Sequence, residues 1–212
     1  MKFHKSGILI FLILILWKSA CITTNYYTAR TLNKGETVMV SGLDNLFLIL
    51  DEGGIVEKHL YFTPSVGFAT GLPWRLETGM RFYLPYTLEA NLRHQLNPRS
   101  FQWFDISFNF HSGIYFADEY KKISSANFKF GFTISKEIFR WQPYISYYLY
   151  KNYQPENNPD YSSDYTIVCF GIAIPFEDNL IFPEWNYLKN EHGDFGYYTF
   201  GLGFRVPLKK TK

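Results

Sequence analysis

Seven titratable side chains fall on one side of three successive segments: Arg75, Glu77 and Arg81, then Glu89 and Arg93, then Asp105 and His111. Such a cluster can do one of two things. It can form a polar constriction that selects a solute, or it can pair internally as a ladder of ions that fills a lumen. Unpaired charges held out of water are costly, which favours the ladder. His111-Ser112, with Asp105 and Glu119 nearby, raises a hydrolase reading, but adjacent strand residues point to opposite faces. A histidine base could not then reach its neighbouring serine, and no catalytic residue is assigned. His59, His94 and His192 are scattered without metal-ligand spacing, and no Gly-rich phosphate loop or cysteine cluster occurs. Neither a metal nor a cofactor is expected, and the chain is read as a non-enzyme.

The elements that would carry these residues are strands. From Trp74 to Leu96 polarity alternates on both sides of Leu84-Pro85-Tyr86. Trp74, Leu76, Met80 and Phe82 share one face in the first half, and Leu88, Ala90, Leu92 and Leu96 in the second. A period of two is the mark of half-buried strands, and the prolyl connection reads as a tight turn. The same pattern predicts further strands from Glu36 to Leu43, with a bulge near Gly42, and from Lys58 to Thr70. Others follow around Phe104–Phe110, Asn127–Ser135, Arg140–Lys151, Val168–Ile174, Leu180–Leu188 and Phe195–Val206. Ten strands fit best, with eight and twelve as alternatives. Helix-type periodicity appears nowhere after the first residues.

Those first residues are an export signal. Lys2 and Lys5 precede an apolar run from Gly7 to Trp17, and Ser19-Ala20-Cys21 supplies small residues for cleavage. The run is too short for a spanning helix, which needs about 20 apolar residues. Cys21 after Ser-Ala resembles the lipobox of bacterial lipoproteins, whose cysteine carries lipid. Lys18 departs from that pattern, which leaves ordinary cleavage after Ala20 as the alternative. The expected organisation is a signal peptide at 1–20, a linker at 21–35, a barrel domain at 36–208 and a tail at 209–212. Cys169 is the sole other cysteine, so no disulfide is expected. Without Lys2, Lys5 and Lys18 the 21 basic residues become 18 against 19 acidic ones. The basicity thus belongs to the signal, and nothing points to nucleic acid.

Which solvent meets the apolar face is the remaining question. The opposite face is largely Gly, Ser, Thr, Asn and Tyr with occasional charges, which suits a cramped lumen better than a solvated exterior. Tyr and Trp gather near segment ends, at Tyr83, Tyr86, Trp141, Tyr150, Tyr153, Tyr197 and Tyr198, where membrane girdles lie. Connections alternate long and short, except after the third strand, which is the habit of outer-membrane barrels. The lipocalin Gly-x-Trp signature is absent. Aromatic residues make up 20% of the chain and charged residues 19%, below the roughly 25% usual in soluble domains.

Asn33-Lys34-Gly35-Glu36, the segment Gly71-Leu-Pro-Trp-Arg-Leu-Glu-Thr-Gly79 and the segment Leu88–Leu96 together resemble uncharacterised bacterial outer-membrane β-barrel proteins. The final strand is similar to an outer-membrane assembly signal at Thr199, Gly201, Phe204 and Val206. Val206 stands there for the usual aromatic, and Pro207–Lys212 overrun the normal end. The resemblance implies an all-β, antiparallel, up-and-down transmembrane barrel in the bacterial outer membrane, and brings no activity with it. Outer-membrane lipids and the barrel-insertion machinery are the partners it implies, with a monomer expected. The role expected is structural or a narrow passage through a largely plugged lumen. Alternatives are a small-solute pore, a lipid-modifying enzyme and, last, a soluble lipocalin-like binder.

Overall fold

The computed structural model describes residues 25–44, 47–50, 56–59, 63–84, 87–101, 103–116, 123–153, 164–191 and 196–209. Residues 1–20, read from sequence as an export signal, lie outside them, as do Cys21 and Tyr86. Strands run in chain order as β1 (Thr37–Asp44), β2 (Phe47–Leu50), β3 (Val56–His59), β4 (Thr63–Leu72), β5 (Leu76–Tyr83) and β6 (Thr87–Gln95). There follow β7 (Asp105–Phe116), β8 (Ile123–Ser135), β9 (Gln142–Tyr153), β10 (Tyr165–Phe176), β11 (Asn179–Asn190) and β12 (Gly196–Lys209). Each of β4 to β11 pairs antiparallel with the next, β1 pairs with β4, and β12 returns to pair with β1. That seam closes a barrel of ten strands. The short pair β2–β3 lies outside the ring and extends β12 at one end.

Alternation places the apolar side chains outside. Phe68, Phe132 and Phe170 are half exposed, while Arg81 and Arg93 are among the largest fully buried side chains. Outward phenylalanines pack on one another along the wall, Phe108 against Phe132 at 5.4 Å between ring centres. Pairs of this kind across neighbouring strands each stabilise a sheet by about 0.2–1 kcal/mol. This is a protein with its polarity reversed, apolar outside and polar within.

Three local expectations change. The strand expected over Lys58–Thr70 is divided: Lys58 and His59 belong to β3, and the wall strand β4 begins at Thr63. Trp74 and Arg75 are not in a strand: Pro73–Arg75 form a 3₁₀ turn with both residues in the left-handed region. The proline fixes the start of that turn, and the strand resumes only at Leu76. The irregularity in β1 is at Thr37/Val38, opposite Pro207, and not at Gly42. Proline has no N–H to offer the ladder, so register slips there.

Residues 25–32, read from sequence as part of a linker, run inside the barrel. Asn25, Tyr26, Tyr27, Thr28 and Ala29 are buried. The chain leaves the lumen through the turn Asn33-Lys34-Gly35-Glu36, where Glu36 N–H donates to the Asn33 carbonyl at 3.0 Å. Gly35 there has φ of 81°, a conformation that suits glycine and little else. The Glu36 carboxylate accepts from both the main-chain and side-chain nitrogens of Asn33, which fixes the reversal.

Candidate functional site: the filled lumen

Glu77, Arg81, Glu89, Arg93, Asp105 and His111 are buried on the inner wall. Arg75 is not with them. The 3₁₀ turn breaks alternation one residue before β5, so its guanidinium stays at the rim and donates to the Leu96 carbonyl at 3.2 Å. The six that do point inward form two groups at different depths.

The first group lies toward the mouth with the short turns. Glu77 is its hub: it accepts from Arg93 at 2.7 Å, from Arg205 at 3.2 Å and from the Leu32 main-chain N–H at 2.9 Å. Asp105 accepts from Gln95 at 2.9 Å and from Arg30 at 3.1 Å. Charged hydrogen bonds of this kind are the strong ones, and buried carboxylates persist only when so saturated. The second group is deeper. His111 Nδ1 stands 3.1 Å from one oxygen of Glu89, and Lys129 Nζ stands 3.9 Å from the other. Arg81 donates to the Tyr83 hydroxyl at 3.0 Å and to the Asn25 carbonyl at 3.2 Å.

Tyr27 lies between the groups. The guanidinium carbons of Arg93, Arg205 and Arg81 lie 4.5, 5.1 and 5.3 Å from its ring centre. All three are within the distance at which a cation is drawn to an aromatic face, and burial strengthens that attraction. Asn91 donates to its hydroxyl at 3.1 Å.

Tyr26 sits against the seam. Its ring covers Gly42 of β1 and Gly203 of β12, which are register partners, and a Cβ on either would fall within 2.3 Å of ring carbons. The hydroxyl donates to the Asp44 carboxylate and to the Leu43 carbonyl. Tyr26 has φ of 53°. A left-handed residue lets successive N–H groups converge on one anion. Here the amides of Asn25 and Tyr26 donate to the two oxygens of Glu184 at 2.6 and 2.8 Å, and Tyr144 adds its hydroxyl at 2.7 Å.

Sequence reasoning missed Lys129, Glu184, Arg205 and the tyrosine pair. Lys129 and Arg205 fall on polar faces otherwise made of small residues, and Glu184 lies on the strand with the weakest alternation. One signal was available for Tyr26: two glycines on the polar faces of the first and last barrel strands leave a hole for a large ring. His111 and Ser112 lie on opposite sides of β7, His111 buried and Ser112 half-buried. Among the described residues no group of His, Cys, Asp and Glu side chains could hold a metal ion.

A closed antiparallel barrel with an apolar exterior and a polar interior is the architecture of bacterial outer-membrane β-barrel proteins. The chain is similar in fold to the beta domain of the Bordetella autotransporter Brka, at 7% identity over 83% of this chain and 100% of that one, with a TM-score of 0.51. It also aligns with an outer-membrane channel from Pseudomonas putida F1, at 11% identity over 87% and 100% of the two chains, with a TM-score of 0.45. A third alignment is with the translocator domain of the autotransporter NalP from Neisseria meningitidis, at 11% identity over 82% and 89%, with a TM-score of 0.42. At such identities the likeness is one of fold. No protein-family profile and no curated protein matches the chain.

Proposed function

We propose that this protein is an outer-membrane barrel that stands closed, its lumen filled by its own residues 25–32, with a structural role in the membrane. The observation that carries this is the burial of Asn25–Ala29 against Glu184, Arg81 and Arg93. Acids and bases along the wall are nearly matched, so no strong field is left to draw an ion through. The surroundings this implies are membrane lipid outside the wall and, during biogenesis, the barrel-insertion machinery. Two measurements test it together. Extracted native protein should migrate differently on gels before and after heating, and planar bilayers containing it should stay electrically silent. A steady single-channel current from the intact chain would sink the closed-barrel reading.

A narrow passage is the second reading, and one feature favours it. Beyond Asn25, toward the mouth with the long loops, Ser65 Oγ, Thr87 Oγ1, Glu89 Oε2, His111 Nε2 and Lys129 Nζ are buried without a hydrogen-bond partner among the described residues. Buried polar atoms of this sort are ordinarily served by ordered water. A hydrated upper half would carry small ions only if the segment below it moved. Arg81→Ala or Glu89→Ala should then change any conductance seen.

A further inference from the structure

The wall holds residues 25–32 mainly by their main chain. Glu184 takes the amides of Asn25 and Tyr26, Arg81 the carbonyl of Asn25, and Arg93 the carbonyl of Thr28. Ser135 accepts from the Ala29 amide at 3.0 Å, and Glu77 from the Leu32 amide at 2.9 Å. Arg99 donates to the carbonyls of Thr31 and Leu32 at 2.9 and 2.8 Å. Four side chains add to this register: the two tyrosines, Arg30 through Asp105 and Glu137, and Thr31 through the Arg75 carbonyl. Groups that meet main-chain N–H and C=O would meet them in any segment able to adopt the same path, with a left-handed residue at the Tyr26 position.

We propose that the lumen is a binding site for a short polypeptide segment, recognised through its main chain and an adjacent aromatic pair, with residues 25–32 as its built-in occupant. This rests on the closed-barrel reading above. The ligand class follows from the wall: carboxylates and hydroxyls placed for amide N–H groups, guanidiniums placed for carbonyls, and a glycine-floored recess with an arginine cage for two neighbouring rings. A compact solute would use only a fraction of these groups and leave the rest unpaired, at a cost for each. A polypeptide that turns at the Tyr26 position satisfies them one after another. Tethering makes the built-in segment the preferred occupant, since its effective concentration is far above that of a free competitor.

Cys169 supplies the readout. It is buried on the inner wall in one cluster with Tyr26, Tyr144 and Phe182. With Cys21→Ser as background it is the sole thiol, and its modification by N-ethylmaleimide reports whether the segment is in place. Two barrels should be compared with the parent: one lacking residues 25–32, and one carrying Gly203→Ala, which drives a methyl group into the Tyr26 ring without altering charge. Folding of each is followed by its heat-dependent migration. The parent thiol should be inert and the thiol of either variant reactive. The free peptide Asn-Tyr-Tyr-Thr-Ala-Arg-Thr-Leu should then slow labelling of the deleted barrel by roughly tenfold or more at saturation. Exchanging its residues at Thr28, Ala29 and Leu32 should change that little. N-methylation at the Tyr26 and Leu32 amides, or alanine at both tyrosines, should abolish protection.

Failure of the peptide to protect a folded, labelled barrel overturns the proposal, as does equal protection by the N-methylated peptide. A thiol that stays inert after deletion overturns it too, because the site would then not outlast its occupant. So does the failure of both variants to fold, since the segment would then be an inseparable part of the wall. Conductance of the intact chain bears on the closed-barrel reading alone, so the two can fail separately.

Discussion

Arg93 and Glu77 face one another directly across the β5–β6 pair, and their side chains meet at 2.7 Å with both fully buried. Each also holds something else. Arg93 donates to the Thr28 carbonyl and to Asn109, while Glu77 accepts from Arg205 and from Leu32. The pair thus joins wall to segment; removing Glu77 strands Arg93 inside the lumen, while removing Arg93 leaves Glu77 to Arg205 and the Leu32 amide.

Arg93→Ala should lower stability by about 3 kcal/mol, the low end of what breaking a buried ion pair costs, because Arg205 still holds Glu77. The denaturant midpoint of the barrel refolded in detergent measures this. Arg75→Ala is the companion: its guanidinium is at the rim with a single carbonyl partner, so the change should stay within about 0.5 kcal/mol. Equal effects would place the two arginines in equivalent surroundings and contradict the structure.

Glu184→Gln should loosen the segment's inner end without unfolding the wall. The carboxylate accepts two amides and the Tyr144 hydroxyl, and an amide oxygen cannot replace both acceptor oxygens. A loss of about 1.5–3 kcal/mol is expected for hydrogen bonds to a charged group. Hydrogen exchange at Asn25 and Tyr26 should rise, while that of β7 and β8 stays slow. Protection unchanged at Tyr26 would mean that the carboxylate is not what holds it.

Phe170→Arg tests which solvent meets the outer face. Phe170 is 55% exposed near the middle of β10. Facing lipid near the bilayer midplane, an arginine there should cost about 2–4 kcal/mol. The same substitution on a water-facing wall would be neutral or improve solubility, the outcome that would revive a soluble binder.

Gly35→Val tests the reversal that turns the segment into the wall. A β-branched residue is strained at φ of 81°, although no atom stands near the added Cβ. The cost should be about 1–3 kcal/mol, read as a lower midpoint with the folded barrel's gel mobility unchanged. Gly35→Asn should recover part of it, because asparagine tolerates the left-handed region better.

How much of this is legible in the residues alone depends on where alternation operates. The Trp74–Leu96 hairpin has one apolar and one polar face, so the side on which Glu77, Arg81, Glu89 and Arg93 lie follows; that Glu77 opposes Arg93 and Arg81 opposes Glu89 comes from the structure. The Asn33–Glu36 turn is legible because its glycine and Asn–Glu pair have local geometric meaning. Asn25 to Leu32 carries no such signal. A segment surrounded on every side by a polar lumen has no dry face, and so its sequence has no period. Nothing in Tyr26-Tyr27 distinguishes rings caged by arginines from rings at a membrane girdle until β5, β6 and β12 are brought together. Arg75 escapes the pattern for a related reason: alternation does not pass through Pro73, after which the backbone leaves the extended region for two residues.

The contact between Asn25 and Glu184 spans 159 residues. Tyr26 likewise rests on Gly203, in the last strand of the chain. The residues that lead into the barrel therefore find their resting place only after nearly everything behind them has been made. Closing so long a loop is slow, and contacts of this range dominate the time a fold takes to complete. A chain interrupted before β11 has no Glu184, Arg205 or Gly203, and so nothing that can retain its own beginning. Filling the interior and joining β1 to β12 thus draw on the same late strands, β11 and β12, so the earliest part of the barrel to be synthesised is held by the latest.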